Sequence, residues 1–119
     1  MRTIIINAAD RIIIEKETDG KLDSLQEIVG GSIEAVYAGL EDADTREHHC
    51  YVNEEGLLNQ PRHFFMFEGG HQPLAGNGVI LGTTASGNEA ACTIPLDWFF
   101  EHVIFMDLDA ARRWARAQP

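Results

Sequence analysis

Histidines and cysteines are the residues of this chain best suited to chemistry, and there are five of the first and two of the second. His48, His49 and Cys50 are contiguous, with His63 and His71 further on. A structural zinc site shows paired ligands at short spacing twice over, and no such pair of pairs exists here. On a strand, His48 and Cys50 face one way and His49 the other. Separate surface or half-buried histidines are the reading, with no metal and no cofactor. A nucleophilic Cys50 or Cys92 would need a neighbouring histidine, or a helix N-terminus to lower its pKa. A histidine near a cysteine is unspecific in a chain with five histidines, and neither cysteine sits in a recognisable elbow or at a helix N-terminus, so no catalytic residue is assigned.

Other residues suit binding better than catalysis. Residues 69–82 are glycine-rich and include Gly76-Asn77-Gly78. A phosphate-cradling loop needs its glycines between a strand and a helix. Here a strand follows, and no Gly-Lys-Ser/Thr is present, so the stretch reads as an open loop entering a hairpin. Glu54 and Glu55 are adjacent on a turn and point apart, which suits solvation more than paired acid–base work. Glu41, Asp42, Asp44 and Glu47 form an acidic cluster. It reads as a solvated loop, with imitation of phosphate charge, or docking of a basic partner, as the sharper alternative. Phe64, Phe65, Phe67, Trp98, Phe99 and Phe100 could stack on bases only beside a basic groove. That groove is missing from the sequence, so core packing or a subunit interface is expected. Arg62 is the lone basic residue near the turn at 53–56 and the 69–78 loop, and so the best candidate for an anion contact. The ligand surface is therefore placed at Asn53, Glu54, Glu55, Arg62, His71 and Asn77.

Charge limits the partners. The 119 residues carry a formal net charge of −10. Between Glu15 and Glu101 only Lys16, Lys21, Arg46 and Arg62 are basic. Phosphate-backbone binding draws its affinity from Lys and Arg, and anionic membranes attract the same residues. Neither nucleic acid nor a membrane surface is an expected partner. No apolar stretch approaches the ~18 residues of a spanning helix. Two thiols and no leader-like N-terminus point to the cytoplasm.

The elements that position these residues follow from pattern. Residues 3–7 read as a covered central strand and 11–16 as a second isoleucine strand. Leu22, Leu25, Ile28 and Val29 form one apolar helical face, capped by Asp19 or Thr18. Gly30 suits the left-handed position after the helix. Strands are expected at 32–37 and 48–52, a turn at 53–56, and a renewed apolar stretch at Leu57 and Leu58. Residues 61–67 read as a short helix with Pro61 at its first position. A hairpin spans 79–94 around residues 86–88, followed by a helical turn at 96–101 and a buried strand at 103–106. Asp107 or Asp109 caps a C-terminal helix whose shared face is Leu108, Ala111, Trp114 and Ala115.

Three motifs carry a likeness to known sequences. Leu25-Gln26-Glu27-Ile28-Val29-Gly30-Gly31-Ser32-Ile33-Glu34 resembles the helix–Gly-Gly–strand opening of a small uncharacterised domain family of phages, plasmids and bacteria. Tyr51-Val52-Asn53-Glu54-Glu55-Gly56 is similar to its second hallmark, and Gly78-Val79-Ile80-Leu81-Gly82 to its third. The likeness spans about residues 1–85. Where the family shows a Pro-Asn-Arg-like segment this chain reads Asn59-Gln60-Pro61-Arg62, which carries over Arg62. The resemblance implies a mobile-element context and no particular activity.

The expectation is one α+β domain over residues 1–119, with a mixed or antiparallel sheet, the 22–29 helix and a C-terminal helix from an extension at about 95–119. Its function reads as a non-enzymatic binding or regulatory module for a protein or small ligand, with room for a homodimer. The rivals are an acidic nucleic-acid mimic that blocks a DNA-binding enzyme, and an enzyme whose site the sequence does not reveal.

Overall fold

A computed structural model describes residues 1–36, 48–70 and 72–119. Among these the chain forms two antiparallel sheets with helices outside them. The larger sheet has the order β2 (Ile12–Glu17), β1 (Arg2–Asn7), β7 (Asn77–Thr83), β4 (His48–Asn53) and β3 (Ile33–Val36), and short β8 (Glu89–Ala90) also pairs with β7. The smaller sheet runs β6 (Leu74–Ala75), β5 (His63–Phe67) and β9 (Val103–Asp107). The architecture is α+β, as the patterns indicate.

The sheets bury their facing sides in one core. Ile4, Ile6, Ile13, Cys50, Val52 and Ile80 from the large sheet meet Phe65, Phe67 and Leu74 from the small one. Gly78 makes the close approach feasible. A Cβ at that position would lie 2.5 Å from Phe65 Cζ. Helix α1 (Leu22–Val29) covers part of the outer face of the large sheet, with Leu25 and Val29 against Tyr51, Val79 and Leu81. Helix α3 (Leu108–Ala117) covers the outer face of the small sheet, where Ala111 and Leu108 meet Phe64, Ala75 and Met106. Helix α2 (Leu96–His102) plugs the inter-sheet core with fully buried Phe99.

Several expectations are corrected. Residues 61–67 are not a helix: His63–Phe67 is the middle strand of the small sheet. Phe65 and Phe67 face the inter-sheet core while Phe64 faces α3. A strand covered on both sides shows no polar alternation, so its pattern mimics a buried helix. Leu22 is 55% exposed, because it opens the first turn of α1 beyond the sheet contact. The helix has Lys21 at its N-cap position with no side-chain cap. Asp19 instead accepts the Lys21 N–H at 2.9 Å, turning the chain just before the helix. Leu57 and Leu58 form a short 3-10 turn, Gly56–Leu58, and are exposed rather than part of an apolar element. Residues 103–106 are a strand, but a half-exposed one, with Ile104 outward. Within α3, Ala111 is buried and Trp114 half-buried, while Ala115 is exposed.

Other readings hold. The N-terminal isoleucines Ile4, Ile5 and Ile6 lie in a central strand and are buried. Gly30 adopts φ +85° after α1, and its N–H reaches Gln26 O at 2.8 Å. Asp107 caps α3, its Oδ1 accepting the Ala110 N–H at 2.8 Å.

Candidate functional site

The C-terminal end of α1 gathers the three sequence motifs. A helix end leaves orphan carbonyls that need donors. Asn77 Nδ2 donates to Ile28 O at 3.2 Å, and Asn53 Nδ2 donates to Val29 O at 3.4 Å. Both asparagines lie on the α1-facing side of adjacent strands, β7 and β4, which is why they reach the same helix end. Asn53 Oδ1 also accepts the Glu55 N–H at 2.8 Å, and the Glu54 N–H donates to Ser32 O at 2.9 Å. The turn at 53–56 is thus clamped to the Gly30–Gly31 reversal. Asn53 and Asn77 spend their amides on this clamp.

Beside the clamp lies a narrow cleft of about 60 Å³. Glu34, Val52, Asn53, Glu54, Leu57 and Pro73 are among its walls. Glu55 is exposed at the start of the 3-10 turn and lies outside these walls. Leu57 also belongs to a second, wider groove of about 380 Å³, which it shares with Gln60, Pro61, Arg62, Leu108 and Arg112. Here the sequence reading needs correction: Arg62 is not alone. Helix α3 brings Arg112 to the same groove from fifty residues downstream. The pairing of sheet and helix is non-local, so no local pattern announces it. Gln60 holds a left-handed φ of +51°, an uncommon conformation for a side chain of that size. Among the described residues the ion pairs are Met1 N with Glu17 and Arg2 with Glu15, and neither involves Arg62 or Arg112.

The contiguous histidines separate as strand alternation requires. His48 is buried, and its Nε2 accepts from Thr93 N–H at 3.0 Å. His49 lies on the opposite face, 3.0 Å from Thr83 Oγ1 through Nδ1. That face carries a polar cluster not foreseen from sequence. Tyr51 OH donates to Glu89 Oε1 at 2.6 Å and lies 3.5 Å from His49 Nδ1. His49 and Tyr51 at period two were the only trace of it in the sequence, since Glu89 joins through the β7–β8 register. His63 is exposed. Among the described residues no group of three or more His, Cys, Asp or Glu could hold a metal ion. His71 and the acidic residues Glu41, Asp42, Asp44 and Glu47 lie outside the described residues.

Both thiols are buried and free. Desolvation pushes Cys50 far above the ordinary thiol range. Cys92 is also raised by burial, partly offset by the backbone at Ile94 and by Arg2. A thiol held protonated is a poor nucleophile. The aromatics pack as expected: Phe64, Phe65, Phe67 and Phe99 are buried, and Trp98 stacks on His102 at 4.4 Å. Phe100 remains exposed. No helix among the described residues is long and apolar enough to cross a membrane.

The chain belongs to the family described as Domain of unknown function (DUF3846), which matches residues 1–103. The match runs further than the 1–85 stretch that carries the motifs, taking in α2 and the first residue of β9. No curated protein and no solved structure matches the chain. Arg62 therefore lies inside the family region, while Leu108 and Arg112 come from the helix beyond it.

Proposed function

We propose that the chain is a non-enzymatic binding module, and that its ligand surface is the strip formed by the 53–56 turn, the 3-10 turn and the groove at Arg62. One observation carries the reading. The cleft and the groove share Leu57 as a common wall, so they form one concave strip, and Leu57 and Leu58 stand 64% and 80% exposed along it. Leucines left in water cost free energy that a bound partner would recover. Clefts with an apolar wall and a few placed polar groups are the usual form of small-ligand sites. The occupant is a small ligand or a segment of a partner protein, and the setting is a cytoplasmic one in a mobile element, as the motif resemblance implies. The mimic reading depends on acidic residues outside the described part, and no described geometry favours it or a catalytic constellation.

A thermal-shift screen of the full chain against nucleotides, metal ions and small anions at millimolar concentration tests the small-ligand form. At least one class should raise the melting temperature, and Leu57→Asp should abolish that rise. Leu57 is exposed, so the variant alone should melt close to the native chain, within about 0.5 kcal/mol. A flat screen would remove the small-ligand reading.

A further inference from the structure

Resting on that reading, we infer that the groove between the 57–62 segment and α3 is a phosphate-ester site, with Arg62 and Arg112 as its two cationic prongs. Both arginines line one groove and are exposed. Neither has an ion-pair partner among the described residues, in a chain with 19 acidic and 9 basic residues. In so acidic a protein two arginines that line one concavity, with no carboxylate partner among the described residues, leave a local positive site against a negative background. That contrast favours an anion there and repels it elsewhere.

The charge count selects the class of anion. Two guanidinium groups balance the roughly −2 charge of a phosphate monoester near neutral pH, whereas a carboxylate would balance only one. The planar fork of each arginine matches two phosphate oxygens. Three of the four remaining lining residues are apolar: Leu57, Pro61 and the half-buried Leu108. They suit a hydrophobic or planar group carried on the ester. A groove of about 380 Å³ falls within the range of small-molecule sites, roughly 300–1,000 Å³. Gln60, held at a left-handed backbone φ of +51°, is the polar residue among the other walls.

Calorimetric titration of the full chain with phenyl phosphate and, separately, with benzoate tests this directly. Phenyl phosphate should bind saturably, and benzoate about tenfold more weakly or worse. Arg62→Gln and Arg112→Gln should each lower phenyl phosphate affinity about tenfold, the effect of losing one charge-assisted bidentate contact. Arg113→Gln removes the same charge from the same helix outside the groove, and should change affinity less than twofold. Melting curves of all three variants should overlay the native curve, since the side chains are exposed. Absence of saturable binding, equal affinity for benzoate, or an Arg113→Gln loss equal to that of Arg112→Gln would each overturn the assignment. If phenyl phosphate fails while another screened ligand loses its effect in Leu57→Asp, the phosphate class is wrong and the binding strip stands. If no ligand responds at all, the phosphate site and the small-ligand form of the binding reading fall together.

Discussion

The Tyr51 hydroxyl donates to Glu89 Oε1 at 2.6 Å, reaching across β7 from β4 to β8. Tyr51 is 8% exposed, and Glu89 Oε2 is buried without a hydrogen-bond partner among the described residues. The carboxylate therefore depends on this one phenol. Removing the donor leaves a shielded acceptor unsatisfied, at a cost of about 1–3 kcal/mol. Tyr51→Phe should lower stability by that amount in urea unfolding. In the Glu89→Gln background the same change should cost less, because a neutral amide is cheaper to leave unpaired. Equal losses in both backgrounds would show that the two residues are not coupled.

Two glycines separate conformational from steric cost. Gly30 sits at φ +85° with nothing within 4 Å of an added Cβ. Gly30→Ala should cost on the order of 1 kcal/mol, from the backbone alone. Gly78 has ordinary backbone geometry but faces Phe65 Cζ at 2.5 Å and Cys50 Sγ at 3.3 Å from an added Cβ. Gly78→Ala should cost more, about 1–3 kcal/mol from overpacking, and Phe65→Leu should relieve part of it. A Gly78→Ala chain as stable as the native one would mean the sheets are not held at this separation.

The thiols set an alkaline limit. Burial raises Cys50 and Cys92 above their unfolded values. A thiol whose folded pKa is raised stays protonated when the unfolded chain has already lost its proton. Stability is therefore undiminished below the unfolded thiol pKa of about 8.5 and falls as pH rises beyond it, by up to about 1.4 kcal/mol per pH unit for each thiol. Urea midpoints between pH 7 and pH 10 should decline, and Cys50→Ala should flatten the decline while lowering stability at pH 7. A thiol reagent should leave both cysteines unmodified in the native chain and label both in urea. Rapid labelling of Cys50 in native protein would contradict its burial.

Local signals in the sequence carried over well where the fold used them locally. Gly30, the Asp107 cap and the isoleucines of β1 each express a rule that involves neighbours along the chain. The failures have a common cause in tertiary contact. Phe64 and Phe65 belong to a strand because one faces α3 and the other the second sheet, and neither partner is near in sequence. Leu22 keeps the helical period but extends past the sheet it would pack on. In the site, Asn53 and Asn77 were placed on the ligand surface for their exposure in a turn and a loop, and in the structure both side-chain amides donate to α1's terminal carbonyls. Arg62 was legible as an isolated cation. Its companion Arg112 was not, since only the docking of α3 on the small sheet brings them together.

That docking leads to the last prediction. Helix α3 lies beyond the family match yet covers Phe64, Ala75 and Met106. The β5–β9 register runs from His63 opposite Asp107 to Phe67 opposite Val103, so a chain ending at Asp107 retains every strand. Its larger core, built between the sheets, does not use α3. Removing residues 108–119 should therefore leave a cooperatively folded protein, weakened by about 3 kcal/mol through exposure of the Phe64 face. Binding of a hydrophobic dye should rise as that face opens. The groove should lose Leu108 and Arg112 together, and with them the affinity for phenyl phosphate, while the Tyr51–Glu89 coupling measured by the same mutant cycle stays unchanged. Loss of cooperative unfolding in the shortened chain would instead make α3 an obligate part of the core rather than a cover that completes the groove.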